Sequence, residues 1–222
     1  SVALGINNTG TTWQIYAKNT NASSTATYSV NTWYHFALVR NSSTTTLYIN
    51  GTSVITVSAD TTNYTGTYFG IGAIYGTSTT TINAYISNLR VVKGTAVYTA
   101  NFTAPNTPLT SITNTVFLLS QSNRFIDTSP NSQTVTLNGT PSVQKFSPFS
   151  TVTVSKYYSG YFPGNTSQYL TMTAPSSFAL GTSAYTIECW VYLTAAAAGE
   201  TTIGSSTNYY TAGFNGNFVF RV

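Results

Sequence analysis

Four carboxylates, one imidazole and one thiol are all that this 222-residue chain offers for acid–base or nucleophilic chemistry: Asp60, Asp127, Glu188, Glu200, His35 and Cys189. Hydrolysis of a glycosidic bond needs two carboxylates flanking it. Glu188 sits in a strand-like run, Tyr185–Leu193, but its neighbours two positions away on the same face are Thr186 and Trp190, so the second acid is missing. A hydrolytic triad needs a nucleophile and an acid beside His35, and the sequence has no Gly-x-Ser-x-Gly elbow. His35 therefore reads as a strand histidine with a structural hydrogen bond. A zinc site needs several His or Cys ligands, and one of each cannot supply them. Cys189 alternates with Ile187 and Val191, the pattern of a small buried apolar residue. Asp60 with Asn63 is the pairing that could offer oxygens to calcium, but carboxylates are too sparse to expect it. The expectation is a non-enzyme with no catalytic residues, no metal and no cofactor.

Binding chemistry is better supplied. The chain carries 17 Tyr, 12 Phe and 3 Trp. Sugar sites combine an aromatic platform with neutral hydrogen-bonding side chains, and Trp13, Tyr16, Tyr75, Tyr209 and Tyr210 lie in or near polar, Gly-flanked segments. They are the carbohydrate-binding candidates; the competing reading makes them core and interface filler. Charged residues are only 5% of the chain, against roughly 25% in an ordinary soluble domain. The formal charge of +4 reflects a shortage of acids. Lys18, Arg40, Arg90, Lys93, Arg124, Lys145, Lys156 and Arg221 are scattered, without the clustering that displaces counterions from nucleic acid. No apolar run is long enough to span a membrane as a helix. Nucleic acid and membrane insertion are thus not expected.

The elements that must position these residues are strands. Thr, β-branched and aromatic residues dominate, apolar residues recur with a period of two, and helical signals are nearly absent. The helix-friendly run Ala195–Ala198 is too short to stand alone. Trp33–Val39 is apolar on both faces apart from His35, as in a central covered strand. Thr46–Ile49 follows and ends at Asn50-Gly51, whose two positions suit the positive φ of a type I′ hairpin turn. Ser53–Val57, Tyr68–Ala73, Thr81–Val92, Thr115–Leu119, Thr134–Leu137 and Val152–Tyr158 read as further strands. In Thr81–Val92 the alternation puts Ile82, Ala84, Ile86 and Asn88 on one face, and Tyr85, Ser87 and Leu89 on the other. Trp33, Ile187 and Trp190 are expected as core anchors, Gly51 as the hairpin glycine, and Arg90 and Gly94 as residues fixing the turn after a closing strand. The whole predicts an all-β protein.

The run WYHFALVRNSSTTTLYING (32–51 without Thr32) resembles the laminin-G/pentraxin-like branch of the concanavalin A-like jelly rolls. Ile86–Thr110 is similar to the closing strand and exit of such domains in phage and metagenomic virion proteins. Val116–Phe149 is similar to the linker between tandem copies there, and Tyr161–Met172 with Phe178–Leu193 resembles the opening of a next copy. The resemblance implies an antiparallel two-sheet jelly-roll sandwich with its motifs in cyclically shifted order. Residues 1–109 would form the later part of a sandwich, 110–156 a connector with a small β-hairpin, and 157–222 the opening part. The two parts would close either between the ends of one chain or between neighbouring copies. Thr-rich strands with almost no charge leave sheet edges unprotected against pairing with other chains. The resulting expectation is a structural or assembly protein of a virion appendage or extracellular filament, located outside the cell or on a virion surface, with other copies of itself as partners. The alternative is a carbohydrate-binding adhesin or receptor-binding module with cell-surface glycans as partners.

Overall fold

A computed structural model of the chain describes residues 2–6, 11–66, 68–72, 82–119, 122–149, 157–164, 167–173 and 178–195. The expected strand Val152–Tyr158 falls largely outside them. Within them the structure is built from antiparallel strands: β1 (Ala3–Ile6), β2 (Thr12–Ala17), β3 (Thr20–Thr27), β4 (Trp33–Asn41), β5 (Thr44–Ile49), β6 (Thr52–Val57), β7 (Tyr68–Ile71), β8 (Asn83–Lys93), β9 (Thr115–Leu119), β10 (Thr136–Asn138), β11 (Ser142–Gln144), β12 (Ser159–Pro163), β13 (Tyr169–Thr173) and β14 (Tyr185–Leu193).

The large sheet has the order β11-β12-β8-β14-β4-β5-β6, with β9 paired to the same side of β8 as β12. Two smaller sheets, β1-β2-β3 and β10-β13-β7, complete the sandwich. One apolar cluster joins all three sheets, including Leu4, Trp13 and Ile15 from the first, Phe69, Ile71, Leu170 and Met172 from the second, and Phe36, Leu38, Leu89, Val91, Ile187, Cys189 and Val191 from the large sheet. The last strand among the described residues, β14, lies between β4 and β8 of the same chain and pairs with both along its length. Its alternation explains the position: Ile187, Cys189, Val191 and Leu193 face the core, while Thr186, Glu188, Trp190 and Tyr192 face outward.

Two departures from the sequence reading have physical causes. The segment 110–156 does not form its own hairpin among the described residues. Its strands are taken up by others: β9 pairs with β8, β10 with β13, and β11 with β12. The turn between β10 and β11 holds Gly139 at φ 70°, and it sends the chain from one sheet to the other rather than back on itself. In β8 the alternation breaks at Asn88. Glu188 of β14 faces Arg90, yet Trp190 faces Ser87, so β8 carries one extra residue across that step. Asn88, at φ 54°, is the left-handed residue of this bulge. Its buried amide accepts a hydrogen bond from Leu109 N at 3.0 Å and donates to Ser87 Oγ at 2.9 Å. The bulge moves Leu89 into the core, against the expected face, and lets Tyr85 and Arg90 share the outer face.

Candidate functional site

The outer face of β4, β14 and β8 carries His35, Arg90 and Glu188 together with a group of aromatic rings, and it divides into two halves. At the end where β14 begins, the segment 94–110 crosses the sheet as a strap. Gly94 N donates to Ala184 O at 2.7 Å, and Val97 N donates to Thr186 Oγ1 at 2.9 Å. Phe102 N donates to Gly51 O at 2.9 Å, and Ser53 N donates to Asn101 Oδ1 at 3.0 Å. The strap is thus fastened to the β5–β6 turn, to β14 and, through Asn88, to β8.

Under the strap lies Glu188, fully buried. Its Oε1 accepts from Arg90 Nε at 2.9 Å and Nη2 at 2.5 Å. Its Oε2 accepts from the Tyr98 hydroxyl at 2.8 Å and lies 3.3 Å from His35 Nε2. Arg90 Nη1 donates to Thr110 O at 2.7 Å, closing the far end of the strap. Burial by itself would raise the Glu188 carboxyl, but the His35 imidazole beside it and then the Arg90 charge outweigh it and hold the group below its ordinary range. The Tyr98 phenol is pushed up, first by burial and then by the neighbouring carboxylate. Tyr98 stacks on Phe102 at 3.6 Å and 5°, and Phe102 meets both His35 and Tyr48 edge-on. An ionised, sealed carboxylate with all these donors around it has neither the access nor the free lone pairs to act on a substrate. This half anchors the strap.

The other half, where β14 ends, is aromatic and half-open. Tyr192 stands directly opposite Trp33 of β4 and Tyr85 of β8, and Tyr85 stands opposite Tyr161 of β12. All four rings are half-buried. Phe146 leans over them, with its ring centroid 4.8 Å from Tyr85, 4.8 Å from Tyr192 and 5.2 Å from Trp33. Trp190, between the two halves, packs against His35 at 5.3 Å and Phe149 at 5.8 Å.

The residues singled out in the sequence fall in different places. Trp13 is a correction: it is 1% exposed, in contact with Tyr28, Tyr34 and Phe36, and therefore offers no ring to a ligand. Its position on β2, which alternates inward, puts it in the core. Tyr16, also on β2, is half-buried and remote from the outer face of the large sheet. Tyr75, Tyr209 and Tyr210 lie outside the described residues. Ile187 lies in the core, but Trp33 and Trp190 do not; both stand half-buried on the outer face, because the strand is covered on that side by strap and aromatics rather than by a second sheet. Arg90 is a correction too: it is not at the turn but mid-strand, bound to Glu188 and Thr110. Gly94 is at the turn, at φ 84°. Gly51, at φ 82°, follows Asn50 at φ 49° in the β5–β6 turn. Asp60 has its oxygens committed, Oδ2 to the Thr45 hydroxyl at 2.6 Å and the Tyr64 hydroxyl at 2.8 Å, and Oδ1 to Thr62 N at 3.2 Å. Asn63 is exposed, and among the described residues no group of three His, Cys, Asp or Glu stands close enough to hold a metal.

Sequence reasoning missed Tyr85, Tyr161, Tyr192 and Phe146. Alternation alone puts Tyr192 on the face of Glu188 and Tyr85 opposite Ile86, so the outward facing was readable; that the three lie in one row depends on strand order and register, which were not.

The described helix-free structure contains no helix long and apolar enough to cross a membrane. No curated protein and no solved structure shows significant similarity to the chain. Residues 1–100 match a laminin-G family model described as the concanavalin A-like lectin/glucanases superfamily. That stretch supplies β1 to β8, including the central strands β4 and β8, and the antiparallel two-layer arrangement around it is the one such jelly rolls adopt. Residues 1–100 are thus similar to the concanavalin A-like lectin/glucanases superfamily, and the all-β sandwich they help to build fits its jelly roll.

Proposed function

We propose that the chain is a non-catalytic carbohydrate-recognition module that works outside the cell. The observation that carries this reading is the division of the outer face: the carboxylate is sealed under the strap, while the aromatic side chains beside it stay half-open. Superfamily members of the laminin-G kind are typically extracellular and generally not catalysts, which agrees with a carboxylate that has no second acid near it among the described residues. A self-supplied β14 also supports a recognition role, since the central strand of the large sheet does not have to come from a neighbouring copy. A glycan array with the purified chain tests it. Selective binding that survives mild acidification and added chelator is the expected result. Silence across the array, with the protein shown to be folded, would overturn it.

A second reading is favoured by the sheet edges. The edge strands β3 and β6 lie against each other at one side of the sandwich, and together they contain no charged residue and no proline. Unprotected edges of that kind suit a structural protein of a virion appendage or extracellular filament whose copies add to one another. Light scattering combined with small-angle scattering separates the two: oligomers that resist dilution favour the assembly protein, and a compact monomer leaves the recognition module.

A further inference from the structure

The strap 94–110 lies on the sandwich without joining its ladders. It forms no strand, and β4, β5, β8 and β14 beneath it are paired with one another independently of it. Its apolar contacts are separate too. Ala96, Tyr98 and Phe102 pack on Ala37, Val39 and Tyr48, a small cluster distinct from the core of the sandwich. Several of its fastenings go to side chains. Thr186 Oγ1 accepts from Val97 N and donates to Thr95 O at 3.1 Å, Asn88 Oδ1 accepts from Leu109 N, and Arg90 Nη1 donates to Thr110 O. Lifting the strap would break these contacts and those at Asn101 and Phe102, but no rung of the large sheet. A segment with few contacts to the main core is where local opening comes most easily.

The surface beneath the strap is charged. The chain has only four carboxylates, and one of them, Glu188, is fully buried there. The groups facing it come from each element packed around it: His35 from β4, Arg90 from β8, and Tyr98 from the strap itself. An apolar pair of similar volume would seal such a place as well or better, since a buried ion pair seldom outdoes its hydrophobic replacement. Lifting the strap would return water to Glu188 and Arg90 while leaving them opposite each other across β8 and β14. The hydration regained offsets part of the cost of opening, which an apolar seal would not do.

Protonation favours the open state. The Glu188 carboxyl is held below its ordinary value under the strap, so a proton there costs the closed state more than an open one bathed in water. Closure is complete above the ordinary value of about 4.5 and weakens as pH falls below it.

We propose that the segment 94–110 is an acid-opened strap, which lifts off the outer face as a unit while the sandwich stays folded. Glu188 is its catch, and Ala37, Val39 and Tyr48 form the apolar surface it uncovers.

Native-state hydrogen exchange of the whole chain tests it, on the parent, Tyr98→Phe and Glu188→Gln. The amides of Val97, Phe102 and Leu109 report the strap, and the β4–β14 ladder reports the sandwich. The three strap amides should open with one common free energy, lower than that of the ladder and little changed by low denaturant. Corrected for intrinsic rates, their opening should rise about threefold or more between about pH 6 and about pH 3.5. Tyr98→Phe keeps the ring that stacks on Phe102 and removes the bond to Glu188. It should raise strap opening about tenfold at neutral pH and leave the ladder unchanged. Glu188→Gln should remove the pH dependence of the strap. Strap amides that share the ladder's opening energy and denaturant dependence, or that open with three unrelated energies, would overturn the unit. Strap opening that ignores acid, or responds to it equally in Glu188→Gln, would overturn the catch. If Tyr98→Phe does not fold, the parent and Glu188→Gln decide.

Discussion

Arg90 and Glu188 face each other across the β8–β14 pairing as a buried ion pair, and the same guanidinium ties Thr110 O to the sheet. Two of its nitrogens converge on one carboxylate oxygen. Removing the cation alone would leave a buried charge with only His35 and Tyr98 beside it. Arg90→Ala should therefore cost about 3–5 kcal/mol in urea unfolding. The double variant Arg90→Met with Glu188→Leu should recover most of that loss, because it removes the charge as well as its partner. Equal instability of the single and double variants would show that the ion pair matters only through the strap contact to Thr110.

Acid should loosen the same cluster. The Glu188 carboxyl is held below its ordinary value in the folded state, so its contribution to stability is complete above the unfolded value of about 4.5. That contribution is lost as pH falls further, through the folded value. Asp60 shifts the same way, because the Thr45, Tyr64 and Thr62 hydrogen bonds outweigh its burial. Melting temperature should thus stay level from neutral pH to about pH 5 and fall below about pH 4.5. Glu188→Gln should shallow the fall. A variant curve parallel to the parent's would place the acid sensitivity elsewhere.

Two tryptophans should differ sharply. Trp13 is enclosed by Tyr28, Tyr34 and Phe36 in the core, so Trp13→Ala should cost about 3–5 kcal/mol. Trp33 stands half-buried on the outer face, and Trp33→Ala should cost roughly half as much. Chemical denaturation of the two variants side by side checks the order. A larger loss at Trp33 would mean that the outer face, not the sandwich interior, carries the main apolar packing.

How much of this was legible depended on which interaction is local. The two-sided apolar pattern of Trp33–Val39 marked a central strand and Tyr185–Leu193 read as a strand, and β4 and β14 are neighbours in the middle of the large sheet. Asn50-Gly51 marked its turn by local φ demands alone. The strands Ala3–Ile6, Thr12–Ala17 and Thr20–Thr27 were not read, because Thr20–Thr27 carries small polar residues where a strand usually shows apolar ones. The bulge at Asn88 left a trace in the phase of Ile82, Ala84 and Ile86 against Leu89 and Val91. That shift, from even to odd positions, is the signal that could have put Arg90 on the face of Glu188. The row of four rings left no such trace, since its members come from residues 33, 85, 161 and 192 and meet only through register.

Gly51 should be intolerant of any side chain. Its φ is 82°, and a Cβ there would lie 1.8 Å from Phe102 O, the backbone of the strap. Gly51→Ala should cost about 1–3 kcal/mol from the backbone conformation, with the displaced strap adding to it. The local consequence is the sharper readout: proteolytic cleavage within 94–110 should become faster relative to the rest of the chain. Unchanged cleavage there would mean that the Gly51–Phe102 contact does not hold the strap.

Cys189 gives a clean reporter of global opening. Its side chain is fully buried on the core face of β14, and burial, with the Glu188 charge adding to it, pushes the thiol well above its ordinary value. Both effects suppress the thiolate that reacts with disulfide reagents. Native protein should therefore label at a rate set by unfolding, nearly independent of reagent concentration, and at once in denaturant. Because β14 is the central strand of the large sheet, its exposure requires the β4 and β8 pairings to part together. Labelling that is fast in native buffer and proportional to reagent would show instead that β14 leaves the sheet on its own, which would return weight to an assembly in which copies exchange that strand.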